Sequence, residues 1–266
     1  MNKMEQLIRW FDGKGKALVA LSGGVDSALV AYASFRSLGQ MTMAVTVDYK
    51  TLAQEELDSA KKICSEIGIS HVITGYNELE NPDFVKNDKS RCFHCRNQLA
   101  THLTKLAKER DVDIIVDGTN LDDLGEYRPG IVALRENGIR SPLLEIGLGK
   151  KEVRNFARDA GLSVYDRPSN SCLASRIPWG TRITTEKLAR IEKSENFVKQ
   201  VFGAKQVRVR DLGTEARIEI GKDELNLLSD SQKVYALTEH LKELGFQFIS
   251  IDPDGYKPGK LNVITD

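Results

Sequence analysis

The sequence predicts an α/β fold, a parallel sheet built from βαβ units, followed by a second, smaller α+β domain. Three observations carry that expectation. Short apolar runs at 18–21, 41–47, 71–74 and 114–117 alternate with amphipathic segments of helical period, the pattern of parallel strands joined by crossover helices. The first run enters Ser22-Gly23-Gly24-Val25-Asp26-Ser27 and then a helix at once, a strand, glycine turn and helix N-terminus in sequence. After Asp166 the texture changes, with Pro168, Pro178 and Gly180 around an irregular segment, and helices and strands mix beyond it. The boundary is expected near residue 180, giving domains 1–180 and 181–266.

Taken in order, residues 4–12 read as a short helix before the Gly13–Gly15 turn. Ala28, Ala31, Tyr32, Phe35 and Leu38 fall on one face of the helix after the glycine turn. Helical spacing returns over 54–67 and stops at Gly68, a usual helix stop. Residues 81–91 are polar, include Pro82 and read as a surface loop leading to Cys92-Phe93-His94-Cys95 and a helix to about 110. Residues 138–149 are expected to be a strand-and-loop unit and 150–160 a helix. In the second domain, 185–202 and 230–244 read as helices, and 206–210, 216–220 and 248–252 as strands. Ligands of open α/β sheets bind outside the carboxyl ends of the strands, so the loops after Leu21, Val47 and Asp117 are expected to share one mouth.

The 266 residues are 41% hydrophobic and 29% charged, ordinary for a water-borne globular chain with ample core. Lys plus Arg equals Asp plus Glu at 38 each, so no global field favours nucleic acid or anionic membrane. Residues 1–10 hold no apolar run of signal-peptide type, and a cytoplasmic location is expected. Four cysteines in that compartment point to thiols, metal ligands or reactive groups rather than structural disulfides.

The glycine turn suits an anion. Glycines let backbone approach oxygen closely, unpaired N–H groups at a helix start face the charge, and Ser22 and Ser27 add hydroxyls. The run lacks the Gly-Lys-Ser/Thr ending of the Walker A loop and the spacing of the dinucleotide fingerprint. It resembles the PP-loop of the ATP pyrophosphatase superfamily, which binds the pyrophosphate end of ATP and adenylates a substrate oxygen. On that resemblance Ser22, Gly23, Gly24, Val25, Asp26 and Ser27 hold ATP, and Asp26 is a magnesium partner. Adenylation turns a carboxylate into an electrophile with a good leaving group, while Mg²⁺ and amides take the pyrophosphate charge. The Cys92/Cys95 pair alone is open to several readings: a redox pair, half a zinc site or iron–sulfur ligands. Cys64, inside a helix, reads as a buried structural thiol.

The run Ser171-Cys172-Leu173-Ala174-Ser175-Arg176-Ile177-Pro178-Trp179-Gly180 resembles the cysteine loop of the LarE family, ATP-dependent sulfur transferases of nickel-pincer cofactor synthesis. Asp117-Gly118-Thr119-Asn120, Tyr127-Arg128-Pro129-Gly130, Val207-Arg208-Val209-Arg210, Ala216-Arg217-Ile218-Glu219 and 252–262 with Gly255-Tyr256 and Gly259 agree with it. The resemblance spans nearly the whole chain. It implies adenylation of a carboxylate of pyridinium-3,5-biscarboxylic acid mononucleotide and replacement of an oxygen by sulfur. In one form of the family a single cysteine at the position of Cys172 gives up its own sulfur and becomes dehydroalanine. A second form has three cysteines and is associated with a [4Fe-4S] cluster whose open iron carries sulfide; Cys92, Cys95 and Cys172 match that pattern.

The same resemblance implies that Ser175 and Arg176 act beside Cys172, with Gly118 and Arg128 at the nucleotide and Glu195 and Glu219 near metal and phosphate. Arg208 and Arg210 alternate with valines, so both leave one strand face and suit a phosphate. The plainer alternatives are a solvated strand face for the arginines and surface carboxylates for Glu195 and Glu219. Asp122 and Asp123 either serve the adenylate or cap a helix. A homohexamer is implied by the resemblance. Two rival functions stay open: another PP-loop enzyme, such as a tRNA thiolase or amidotransferase-like ligase, and a non-catalytic sulfur or iron–sulfur carrier that binds ATP for regulation.

Overall fold

The computed structural model describes residues 1–125 and 129–262. The chain divides into two units, the first made of 1–84 and 90–170, the second of 85–89 and 171–266.

The first unit opens with α1 (Lys3–Arg9), held by a capping box between Asn2 and Glu5. Then come β1 (Ala17–Ala20), α2 (Val25–Leu38), β2 (Thr42–Asp48), α3 (Gln54–Ile67) and β3 (Ser70–Gly75). The segment read as loop from 81 holds a short helix, α4 (Pro82–Val85), before α5 (Arg91–Glu109) and β4 (Ile114–Val116). Short helices α6 (Pro129–Glu136) and α7 (Pro142–Glu145) precede α8 (Lys150–Asp159). The strand expected within 138–149 is reduced to a single bridge, Arg140 beside Val116, because Pro142 starts a helix two residues later.

All four strands run parallel in the order β3-β2-β1-β4. Chain direction across the sheet reverses between β1 and β4, the switch point where such sheets bind ligands. Alternation along β1 shows how both faces are filled. Ala17 and Val19 join the core with Leu29, Ala33 and Val153 on one side, while Leu18 joins Val45, Leu99 and Leu103 on the other.

The second unit holds α9 (Thr185–Phe202), β5 (Val207–Asp211), β6 (Glu215–Ile220), α10 (Ser231–Glu243) and β7 (Phe248–Ile251). Its sheet is ordered β5-β6-β7, with β5 antiparallel and β7 parallel to β6. Val207, Val209, Ile218 and Ile220 pack with Val198, Leu237 and Leu241 on one face. The opposite face therefore carries Arg208, Arg210 and Glu219. A 3₁₀ turn over Lys222–Ser229, absent from the sequence reading, links β6 to α10. Among the described residues no helix is long and apolar enough to cross a membrane.

Candidate functional site

In the first unit the turn after β1 is shaped by backbone. Gly23 has φ of +83°, and a Cβ there would sit 2.3 Å from the Glu56 carbonyl oxygen, so only glycine fits. Gly24 is the N-cap of α2 and offers no side-chain cap, which leaves the N–H groups of the first turn for a ligand. The Ser27 hydroxyl accepts from the Ser22 N–H at 3.1 Å and lies 3.1 Å from the Ser22 hydroxyl. Ser22 Oγ in turn is 3.4 Å from the Gly24 nitrogen. Two hydroxyls and the N–H groups of a helix start thus line one small concave turn, the arrangement that receives phosphate oxygens.

The loop after β4 closes against it. A Cβ on Gly118 would lie 2.5 Å from the Ser27 nitrogen, so the glycine permits direct backbone contact with the start of α2. Asp117 is buried and accepts from Thr119 Oγ1 at 2.5 Å and Ser141 Oγ at 2.7 Å. Burial outweighs those bonds and raises its pKa above the usual carboxylate range. Asp26 accepts from Asn120 Nδ2 at 3.1 Å and is ion-paired with Lys150 at the start of α8. Of the paired acids beyond Asn120, Asp122 caps α8 through the Lys150 N–H, and Asp123 accepts the Asn120 N–H at 3.0 Å. Arg128 lies outside the described residues.

Cys92 lies in the first turn of α5 and Cys95 at the start of the second, three apart and so on one helix face; Cys92 is exposed and Cys95 half-buried. Arg91 Nη2 is 3.8 Å from the Cys92 sulfur. Cys64 faces the core of α3, and burial pushes its thiol up to about 12. All four cysteines are free thiols.

In the second unit the Cys172 segment is built around a charge. Cys172 precedes a 3₁₀ turn, Leu173–Arg176, and the Arg176 side chain is fully buried beneath it. Its Nη1 donates to the carbonyls of Ser171 and Cys172 at 2.6 and 3.0 Å and to Ser175 Oγ at 3.1 Å. Nε and Nη2 form a bidentate pair with Glu195 at 2.8 and 2.9 Å. Burial opposes the charge on Arg176, but the Glu195 carboxylate outweighs it and raises the pKa. Burial likewise works against the Glu195 charge, yet Arg176, Arg208 and the Val209 N–H hold its pKa below the usual range.

Arg208 and Arg210 are not a solvated face, and Glu195 and Glu219 are not surface carboxylates: each is 4% exposed or less. Arg210 bonds Glu219 at 2.6 Å and the Ser175 carbonyl at 3.0 Å, which ties β5 to the Cys172 turn. Both guanidinium groups lie near the Tyr256 ring, at 4.9 and 5.8 Å. Tyr256 is placed by Gly255, whose would-be Cβ is 2.7 Å from the Ile220 carbonyl. Burial, and then the neighbouring Arg176 charge, lower the pKa of Arg208. Arg176, Arg208 and Arg210 thus share this buried region with Glu195 and Glu219.

The structure thus gathers Ser22–Ser27 and Gly118 in one unit, and Cys172, Ser175, Arg176, Glu195, Arg208, Arg210 and Glu219 in the other. Among the described residues no group of three or more His, Cys, Asp or Glu converges as a metal-holding set. Lys150, which pairs with Asp26, and Ser59 and Arg167, which donate to the Gly23 carbonyl, also border the glycine turn, and no local pattern in the sequence marks them; nor does one mark Tyr256 beside Arg208 and Arg210.

Comparison with known proteins agrees with this geometry. Residues 16–87, which contain the glycine turn, match the family described as queuosine biosynthesis protein QueC. The chain is 39% identical to the uncharacterized protein slr1717 of Synechocystis sp., over 98% of this chain and 97% of that one. It is 28% identical to the pyridinium-3,5-bisthiocarboxylic acid mononucleotide synthase of Lactiplantibacillus plantarum, over 93% and 89% of the two chains. A probable tRNA sulfurtransferase of Methanocaldococcus jannaschii is 26% identical over 56% of this chain and 41% of its own. The parallel sheet with the glycine turn at its switch point is the fold of a PP-loop domain, and the likeness to slr1717 across 98% of the chain shows that the chain belongs to the family of that Synechocystis protein.

Proposed function

We propose that this protein is a cytoplasmic ATP-dependent sulfur transferase acting on pyridinium-3,5-biscarboxylic acid mononucleotide, in nickel-pincer cofactor synthesis. The observation that carries the proposal is the likeness to the Lactiplantibacillus synthase across 93% of the chain, which takes in the Cys172 unit as well as the glycine turn. The tRNA sulfurtransferase covers 56%, which favours the small-molecule reading over a tRNA substrate.

In this reading Ser22–Ser27 hold the β- and γ-phosphates, Gly118 closes the nucleotide loop, Arg128 contacts the nucleotide, and Asp26 is the Mg²⁺ partner. Lys150, now paired with Asp26, is free to turn to phosphate oxygen when magnesium takes the carboxylate. A substrate carboxylate oxygen attacks the α-phosphorus, pyrophosphate leaves, and an acyl-adenylate forms. A sulfur nucleophile then adds to the acyl carbon, and AMP departs with the carbon–oxygen bond to phosphate broken, giving the thiocarboxylate. Arg208 and Arg210 take the substrate phosphate, a role supported by their common strand face beside the Tyr256 ring. Glu219 sets the Arg210 guanidinium and Glu195 that of Arg176, and both carboxylates serve the metal and phosphate end. Ser175 and Arg176 hold the Cys172 turn.

Free thiols at Cys92, Cys95 and Cys172 are the right donors for a [4Fe-4S] cluster. Bound there, the cluster would supply an iron without a protein ligand at which sulfide is taken up and given away. The first unit then carries activation, and the second the Cys172 turn, the substrate contacts and the surfaces of a homohexamer. The test is release of AMP and pyrophosphate on adding the pyridinium mononucleotide to ATP and enzyme purified without oxygen. No substrate-dependent AMP overturns the proposal. Absence of iron and labile sulfide overturns the cluster alone, and loss of hydrogen sulfide mass from Cys172 after turnover assigns the sulfur to that side chain.

A further inference from the structure

The carbonyl of Gly23 is gripped from behind. Ser59 Oγ, on α3, donates to it at 2.8 Å, and Arg167 Nη1 donates to it at 3.1 Å. Arg167 is itself locked: Glu56 accepts from Nη1 at 3.0 Å and from Nη2 at 2.7 Å, and the Glu55 carbonyl accepts from Nη2 at 3.4 Å. Asn170 fixes the carboxylates in turn, donating to Glu56 at 2.9 Å and Glu55 at 2.6 Å. The guanidinium charge is met by Glu56, so Arg167 is engaged with the loop backbone and a carboxylate rather than offered to a ligand.

A trans peptide is planar, and its C=O and N–H point in opposite directions. Holding the Gly23 oxygen toward α3 therefore aims the Gly24 N–H the other way, to the side where Ser22 Oγ lies. A glycine pair has no side chains to resist a flip of that peptide, so the orientation needs an external hold. A charged donor on the carbonyl also polarises the peptide and strengthens its N–H as a donor. We infer that Arg167 and Ser59 are positioning residues of the phosphate loop, which set the Gly23–Gly24 peptide for the pyrophosphate of ATP. The inference rests on the reading of Ser22–Ser27 as the ATP loop.

Titration calorimetry with inorganic pyrophosphate and, separately, with AMP tests it on the full chain. Arg167→Ala is expected to weaken pyrophosphate binding about tenfold and Ser59→Ala about threefold, each the worth of one hydrogen bond. AMP, which lacks the pyrophosphate, is expected to bind each variant as it binds the wild type. Arg167→Lys, which restores a donor but not the fork, falls between wild type and alanine. Unchanged pyrophosphate affinity in the variants overturns the inference, as does a parallel loss of AMP, which marks general damage to the site. If Arg167→Ala does not fold, Ser59→Ala carries the same two outcomes. A wild-type chain that binds neither pyrophosphate nor ATP overturns the parent reading, a result distinct from any change among variants.

Discussion

The glycine turn of the first unit and the cysteine turn of the second are opposite solutions to holding an irregular loop in one shape. Ser22–Ser27 is shaped by backbone: a positive φ at Gly23, close approach to Glu56, and an uncapped helix start. The turn at Cys172 is shaped by charge, a fully buried guanidinium bonded to two loop carbonyls and fixed by Glu195. A backbone-built loop tolerates changes in its polar side chains and fails when a Cβ is added. A charge-built loop fails when one charge is removed, because its partner is left buried and alone.

The largest expected effect follows from that asymmetry. Glu195→Ala strands Arg176 and is expected to cost about 3–5 kcal/mol, read from the denaturant midpoint of the second unit's transition. Asp26→Asn, in the backbone-built loop, is expected to leave the melt within about 0.5 kcal/mol while abolishing magnesium-dependent ATP use. If both variants unfold alike, the contrast between the two loops is wrong.

Next is Gly23→Ala. A methyl 2.3 Å from the Glu56 oxygen, on a residue with φ of +83°, is expected to cost about 1–3 kcal/mol and remove ATP binding. Gly24→Ala, whose added Cβ meets Ser22 Oγ only at 3.5 Å and needs no positive φ, is the matched control. Its expected stability is close to wild type, by thermal melt.

What the sequence made legible follows the same division. The strand, glycine and helix order of 18–27 is readable because all its determinants are neighbours in the chain. The parallel sheet is readable because each strand's burial is written in its own apolar run. Lys150 is 124 residues from Asp26 and Arg167 144 from Gly23, so no local pattern could announce them. Alternation on 207–210 gave the common face of Arg208 and Arg210, but not its burial, which depends on Glu219, Tyr256 and the Ser175 carbonyl. The strand expected around 140 gave way to Pro142, a helix start whose effect reaches back to shorten the pairing to Arg140.

The two units should also answer pH with opposite signs. Glu195 has a folded-state pKa below its unfolded value, near 4.3, so its contribution is full above about pH 5 and is lost as pH falls through the folded pKa. Asp117 has a folded-state pKa above its unfolded value, near 3.9, so its contribution is present below about pH 4 and is lost as pH rises through the folded pKa. Glu195→Gln is expected to flatten the acid limb of a stability profile between about pH 5 and 2. Asp117→Asn is expected to gain on wild type at pH 7 relative to pH 4. Profiles that move the same way would show that burial, not its compensation, governs both sites.

The smallest effect concerns the cysteines, and it separates a packed thiol from those offered to chemistry. Cys64 is 4% exposed and its thiol is pushed up to about 12, so at pH 8 only about one molecule in ten thousand carries the thiolate that alkylates. Cys92 is exposed at the first turn of α5, open to reagent from solvent. Iodoacetamide added to the cluster-free chain at pH 8 is expected to mark Cys92 within minutes and Cys64 only in denaturant, read by peptide mass. Cys64→Ala should shift stability by no more than about 1 kcal/mol, since it removes one sulfur and no hydrogen bond. Rapid native labelling of Cys64 would mean that α3, whose backbone carries both Ser59 and the Glu56 carbonyl against Gly23, opens from the sheet, and the rigid support assigned to the glycine turn would fall with it.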